Sequence, residues 1–244
     1  MTTAIVTGGS RGIGKAIVIA LADKGVSITF TYRSGTEEAN ALQEQLNEKG
    51  CSVRAVCLDI TDMDSCRDFI NGFYKENGAP DILVNNAGVT DDSLLFAMKR
   101  EQWDKVIDTD LNGIFNMTQT TVFHMMKARK GRIINIASIS GLNGIKGQCN
   151  YSAAKGAVIG FTKALAKEAS PLGIAVNAIA PGGVETEMTD AISKEAMEDM
   201  LRDVPMKRLC TPEEVANVAA YLSLESPLYL TGTTIVLDGG MGSL

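Results

Sequence analysis

A single histidine, His124, is too little imidazole for most metal centres or for a Ser-His-Asp hydrolase, and in its helical context it reads as an ordinary helix residue. Cysteine is no richer a source of chemistry. The five at positions 51, 57, 66, 149 and 210 are odd in number and lack Cys-x-x-Cys spacing, which argues against a disulfide framework and a zinc site alike. Long hydrophobic runs are missing as well: Gly, Asn or charge interrupts every apolar stretch before the ~18 to 20 residues that a membrane-spanning helix needs. The N-terminus shows no basic segment followed by an apolar core and a small-residue cleavage site, so the expected location is the cytoplasm. Positive charge is also in deficit. A formal net charge of −6 disfavours nucleic acid or an anionic membrane as a partner, and any anionic ligand must meet a local basic patch.

With 244 residues, 45% of them hydrophobic, and no linker-like stretch, the chain fits one α/β domain spanning 1–244. Short β-branched runs at 4–6, 27–31, 53–57, 82–84, 132–137, 175–179 and 234–237 predict seven strands. Amphipathic segments at 12–24, 36–49, 62–76, 101–129, 151–170 and 212–223 predict the helices between them. This alternation implies a Rossmann-type, doubly wound parallel sheet with helices on both faces, whose ligands bind beyond the carboxyl ends of the strands. The segment 182–207, rich in Met and acidic residues, is the candidate substrate lid.

The first strand runs into Thr7-Gly8-Gly9-Ser10-Arg11-Gly12-Ile13-Gly14, directly before a helical segment. Glycines 8, 12 and 14 form G-x-x-x-G-x-G. They permit a tight turn and close backbone approach, and the helix N-terminus behind them offers free N–H groups to a pyrophosphate. Taken alone, a glycine-rich turn is as readily structural. After the second strand, the place of an acidic ribose-binding residue is taken by Arg33 and Ser34, and Arg11 lies in the adjacent turn. A guanidinium suits a 2′-phosphate, so the expected cofactor is NADPH/NADP rather than NAD. After the third strand, Asp59 and Ile60 are expected beside the adenine.

Tyr151 and Lys155 stand four residues apart near the start of a helix, on one face. A phenol has an unperturbed pKa of ~10, and a nearby ammonium favours its phenolate, so Tyr151 can exchange a proton with a substrate oxygen. Ser138, at the end of the fifth strand, can hydrogen-bond the same oxygen. Asn112 is an awkward residue for the interior of a helix at 101–129, and a water-linked relay from it to Lys155 is the functional reading. Each of these residues has an ordinary alternative: a hydrogen-bonded core-edge Tyr, a snorkelling Lys, a strand-end Ser, a helix-surface Asn.

Together, the glycine turn, Asn85-Asn86-Ala87-Gly88, Asn112, Ser138, Tyr151-x-x-x-Lys155 and Pro181-Gly182 resemble the short-chain dehydrogenase/reductase family over essentially the whole chain. The resemblance implies Tyr151 as the catalytic acid/base and Lys155 binding the nicotinamide ribose. It implies Ser138 positioning the substrate, Asn112 holding a relay water, Asn86 and Gly88 beside the cofactor, and Pro181, Gly182, Val184 and Thr186 around the nicotinamide. It also implies a homotetramer. Within the family, 86–90, 147–151, 181–188, 229–232 and 238–241 resemble β-ketoacyl-thioester reductases, those acting on acyl carrier protein and the acetoacetyl-CoA type alike. The implied reaction is reduction of a 3-oxoacyl thioester by NADPH. A sugar, steroid or small-ketone reductase, and a non-catalytic NADP(H)-binding subunit, are the alternatives.

Asp91-Asp92 and Pro171-Leu172-Gly173 remove positive charge that such reductases often carry. An acidic carrier protein would then dock on Lys127, Arg129, Lys130 and Arg132, which serve equally well as cations at a helix C-terminus. Leu94, Leu95, Phe96 and Met98 are either an acyl pocket or ordinary loop packing. Cys149 reads as a passive wall residue.

Overall fold

The computed structural model describes residues 1–190 and 194–243. Its strands are β1 (Thr3–Thr7), β2 (Ser27–Tyr32), β3 (Val53–Cys57), β4 (Ile82–Asn85), β5 (Gly131–Ile136), β6 (Ile174–Pro181) and β7 (Thr234–Leu237). They form one parallel sheet in the order β3-β2-β1-β4-β5-β6-β7. The helices between them are α1 (Gly12–Ala22), α2 (Thr36–Glu48), α3 (Met63–Asn77), α4 (Arg100–Ile107), α5 (Gly113–Ala128), the short α6 (Ser140–Asn143), α7 (Cys149–Ala169), the short α8 (Glu187–Asp190), α9 (Lys194–Arg202) and α10 (Pro212–Leu224).

Side chains alternate across the sheet and divide the core in two. Ala4, Val6, Ile28, Phe30, Ile82, Val84, Ile134 and Ile136 pack with α1, α2 and α10, whereas Ile5, Leu83, Ile133 and Val176 pack with α3, α5 and α7. This is why the strands read as nearly continuous apolar runs. The strand order reverses between β1 and β4, which opens the crevice at their carboxyl ends. Among the described residues, no helix is long and apolar enough to cross a membrane.

The sequence predicts one helix over 101–129, but the structure breaks it. Between α4 and α5 lies a π-helical turn, Asp108–Asn112, which rotates the residues on either side relative to a continuous α-helix. The helix expected at 151–170 begins at Cys149, so Tyr151 lies in its first turn.

Candidate active site

One cleft of about 980 Å³ runs along the carboxyl ends of the strands. All residues expected at the cofactor or the reacting centre line it, with the exception of Asn112. The glycine turn forms its floor. Gly8 and Gly12 take positive φ (64° and 52°), and a Cβ on Gly14 would fall 2.0 Å from the Gly8 carbonyl oxygen and 2.4 Å from Asn86 Nδ2. The turn after β4 is bound tightly to it: Asn86 Nδ2 donates to Thr7 O and Gly8 O, each at 3.0 Å, and the buried Thr7 hydroxyl accepts from the Asn86 and Ala87 N–H groups. Asn86 thus braces the two loops against each other. No side chain caps the N-terminus of α1, so its first N–H groups face the cleft beside Ser10 and Ile13.

Arg33 and Ser34 follow β2 at one end of the cleft. Arg33 Nε lies 3.2 Å from Asp59 Oδ2, and Arg11 Nη1 lies 3.4 Å from Glu187 Oε2. Both pairs are solvent-exposed and exchange partners at little cost. Burial would raise the Asp59 carboxyl, but hydrogen bonds from Thr61 and the charge of Arg33 prevail and hold it below its ordinary value. Ile60 forms the adjacent wall, pressed on Gly113, where a Cβ would lie 2.5 Å from its Cδ1. On the opposite side, Gly182 N–H donates to Leu237 O (2.7 Å) and Ile139 N–H to Pro181 O (3.0 Å), which sets Pro181 to Thr186 along the cleft. Met206 N–H donates to Gly239 O, and Val204 and Met206 also face the cleft.

Tyr151, Lys155 and Ser138 converge at the centre. The Lys155 ammonium lies 5.4 Å from the Tyr151 ring centroid and donates to Ile136 O (3.1 Å). Ser138 Oγ accepts from the Ser140 N–H (3.1 Å) and donates to Ser140 Oγ (3.2 Å). Close backbone contact holds α6 on α7, since a Cβ on Gly141 would sit 2.5 Å from Gly156 N. Burial pushes the Tyr151 phenol up; Lys155 and a Ser138 hydrogen bond pull it down, Asp110 and Asp92 push it further up, and the net direction is upward. Lowering by Lys155 therefore acts, as the sequence suggests, but does not win. Burial works against the Lys155 ammonium, yet Asp110 and the Tyr151 oxygen overcome it and hold this group above its ordinary value.

The relay expected through Asn112 is corrected. Asn112 is exposed, and its amide donates to Asp108 Oδ1 (2.8 Å). Because the π turn rotates the chain, Asp110 faces inward instead, with Oδ2 3.0 Å from Lys155 Nζ. Sequence reasoning also missed Gln148, although it lies in the quoted stretch 147–151. Its amide accepts from Ser140 Oγ (3.0 Å) and donates to Asp92 Oδ2 (2.7 Å), and all three line the cleft. A polar side chain three residues ahead of Tyr151 was the available signal.

Two alternatives that the sequence leaves open are narrowed. Leu94, Leu95, Phe96 and Met98 do not line the cleft, and Phe96 is 89% exposed. In the basic cluster, Lys130 pairs with Asp81 (2.7 Å), Arg129 donates to Pro171 O, and Arg132 donates to Ser226 and Leu222 O, while Lys127 lies over the Phe123 ring. His124 stacks on Tyr74 away from the cleft, and no disulfide or metal-ligand cluster occurs among the described residues. Of the expected lid, 191–193 lie outside the described residues.

A parallel sheet with a glycine-turn crevice and a tyrosine-lysine pair at its centre defines a dinucleotide-dependent dehydrogenase. The chain belongs to the short-chain dehydrogenase family, whose model matches residues 2–197. It is 43% identical over 239 residues to the 3-oxoacyl-[acyl-carrier-protein] reductase FabG of Staphylococcus aureus strain Mu50, covering 98% of this chain and 97% of that one. The protein of the same name from Vibrio cholerae is 43% identical over 240 residues, covering 98% and 96%. The crystal structure of gox2181 superposes with a TM-score of 0.95 at 32% identity, covering 100% of this chain and 96% of that one. As a member of this family, the chain is an oxidoreductase with a nicotinamide dinucleotide cofactor. Its residues fit that group: the crowded glycines leave the turn open where any side chain would fill it, beside an uncapped helix N-terminus.

Proposed function

We propose that this enzyme reduces a 3-oxoacyl thioester, carried on acyl carrier protein, to the 3-hydroxyacyl thioester with NADPH as reductant. The observation that carries the reading is the convergence of Tyr151, Ser138 and Lys155 in the cleft that begins at the glycine turn. The substrate class rests on the relatives, which are named as 3-oxoacyl-[acyl-carrier-protein] reductases. NADPH is preferred because Arg33 and Arg11 lie at the end of the cleft beyond β2, where an adenosine 2′-phosphate would exchange for Asp59 and Glu187 as their partner. The bound nicotinamide supplies hydride to the carbonyl carbon.

The chain's own residues handle the oxygen. Ser138 hydrogen-bonds and orients the carbonyl, and the Tyr151 O–H bond breaks to protonate the oxygen as negative charge develops there. A phenol held above its ordinary pKa stays protonated at neutral pH, as a proton donor must. Lys155 holds the nicotinamide ribose and limits the cost of the phenolate that remains. Val204 and Met206 support the assignment of 182–207 as a lid over the acyl chain. A homotetramer belongs to the same proposal, consistent with the apolar surface left by Phe115 and Phe123 on α5 and by Val236 on β7.

The test follows nicotinamide absorbance with acetoacetyl-acyl carrier protein and acetoacetyl-CoA, beside NADH and a Tyr151→Phe variant. Turnover with NADPH, reduced by about 10²- to 10⁴-fold in the variant, is the expected result. Tight NADPH binding without turnover of either thioester would sink the substrate assignment and leave other carbonyls to be tried.

A further inference from the structure

Gln148 is a polar side chain in the cleft that proton transfer at Tyr151 leaves without a task. Its backbone is fixed on several sides. It follows Gly147, whose φ is 86°; its N–H donates to Ile145 O (3.0 Å), and its carbonyl oxygen accepts the Ser152 N–H (2.7 Å), the first hydrogen bond of α7. Ser93 N–H donates to Gly147 O (2.9 Å), which ties this turn to the segment after β4. The residue therefore enters the cleft three positions ahead of Tyr151, from a backbone that is already held in place.

Its partners fix the orientation of the amide. A carboxylate accepts and cannot donate, so Asp92 Oδ2 takes the Nε2 side (2.7 Å), and Oε1 is left to accept from the Ser140 hydroxyl (3.0 Å). Ser140 Oγ in turn accepts from Ser138 Oγ (3.2 Å), so an unbroken chain of hydrogen bonds joins the amide to the hydroxyl that orients the reacting carbonyl. A primary amide has two N–H groups, and Asp92 occupies one of them. Among the described residues nothing accepts from the other, and Gln148 lines the cleft together with Ser138, Ser140 and Tyr151. The Ser140 hydroxyl on Oε1 polarises the amide and strengthens this free N–H as a donor.

We propose that Gln148 selects substrates in which a second carbonyl lies one methylene away from the reacting ketone. Its free N–H donates to the second oxygen while Ser138 and Tyr151 hold the first, so a 3-oxoacyl group is gripped at both oxygens and a simple ketone at one. Asp92 is a positioning residue here: it holds the amide with Nε2 toward the segment after β4 and keeps it from turning. A simple ketone leaves the Gln148 donor unpaired, which is how a hydrogen-bonding site discriminates against an analogue that lacks the matching group. The inference deepens the proposed function and rests on it for the place of the reacting oxygen, between Ser138 and Tyr151, but not for the carrier.

The test measures kcat/KM with NADPH for ethyl acetoacetate, which carries the paired oxygens without a carrier, and for butanone, which lacks the second one. Wild type, Gln148→Met and Asp92→Ala are compared, with thermal melting and NADPH binding as checks on folding. The ratio of the two values is read, so a general loss of activity cancels. In Gln148→Met, which keeps the length of the side chain but has no N–H, the ratio falls about 10- to 100-fold. In Asp92→Ala, where the side chain removed is exposed and the amide is set free to turn, it falls in the same direction by a smaller factor. A ratio unchanged in Gln148→Met overturns the proposal, because the residue then only braces the turn; should that variant not fold, an unchanged ratio in Asp92→Ala overturns it. A shifted ratio without turnover of acetoacetyl-acyl carrier protein or acetoacetyl-CoA refutes the carrier-bound substrate alone. Turnover of both thioesters with an unshifted ratio refutes this inference alone.

Discussion

On the proposed reading Arg33, beside Arg11, selects the cofactor; it is largely exposed, with Nε 3.2 Å from the Asp59 carboxylate. A charge-assisted hydrogen bond is worth about 1.5–3 kcal/mol, so Arg33→Ala should weaken NADPH binding by roughly tenfold or more. NADH binding should hold, and fluorescence titration of both cofactors checks the split; an equal loss for both would place Arg33 in general electrostatics instead. In the proposed mechanism Tyr151 sets the pH dependence. Reduction needs the protonated phenol, so its rate is sustained at neutral pH and lost as pH rises through the elevated Tyr151 pKa; alcohol oxidation needs phenolate and gains over the same range. Rate profiles in both directions, crossing on one ionisation, are the expected result. The convergence of Tyr151, Lys155 and Ser138 was legible in the sequence because their spacing and strand-end position survive folding unchanged. Asn112 was misread because a π turn is not written in helical periodicity: Asp108-Thr-Asp-Leu-Asn112 offers an amide, and one extra residue in the turn presents the acid two positions earlier.

The α1 turn shows what an element demands of its residues. Gly14 stands where backbone and the Asn86 amide leave no volume, and the colliding Gly8 oxygen belongs to the chain itself rather than to a movable side-chain tip. Gly14→Ala should cost at least about 1–3 kcal/mol, as overpacked sites do, and disrupt the dinucleotide turn. Thermal melting and NADPH titration should therefore fall together; a normal melt with normal binding would show that the turn relaxes easily. At α10 the capping box of Thr211 and Glu214 is closed by Arg208, whose hydrogen bonds hold the Glu214 carboxyl at about 2, well below its ordinary value. Thr211→Ala should lower stability by about 0.5–2 kcal/mol, read by denaturant unfolding. A depressed carboxyl stabilises the fold above its unfolded pKa and loses that contribution as pH falls toward about 2, so the Arg208 pairing should matter least in strong acid. The seven strands were legible because burial on both faces gives them dense β-branched runs. The helix ends were less so, since α7 begins at Cys149 after Gln148, a residue with no side-chain cap to announce it.

At the scale of the whole molecule, charge decides how a carrier-bound substrate arrives. The protein is itself acidic, with net charge −6, and an acidic partner gains nothing from the global field. The cations after α5 could read in sequence as a docking patch, because sequence shows charges without their partners. Folding commits Lys130 to Asp81, Arg132 to Ser226 and Leu222 O, Arg129 to Pro171 O, and Lys127 to the Phe123 ring. Arg132 is half-buried and Lys130 faces the Asp81 carboxylate, and the exposed Lys127 and Arg129 that remain are too few to offset the repulsion of an acidic partner by a net charge of −6. Lys127→Ala and Arg129→Ala, singly and together, should therefore change KM for acetoacetyl-acyl carrier protein by less than about threefold, with KM for acetoacetyl-CoA moving in parallel. A larger rise confined to the carrier-bound substrate would restore the patch as a docking surface. The measurement therefore separates cations that brace the end of α5 from cations that receive a partner.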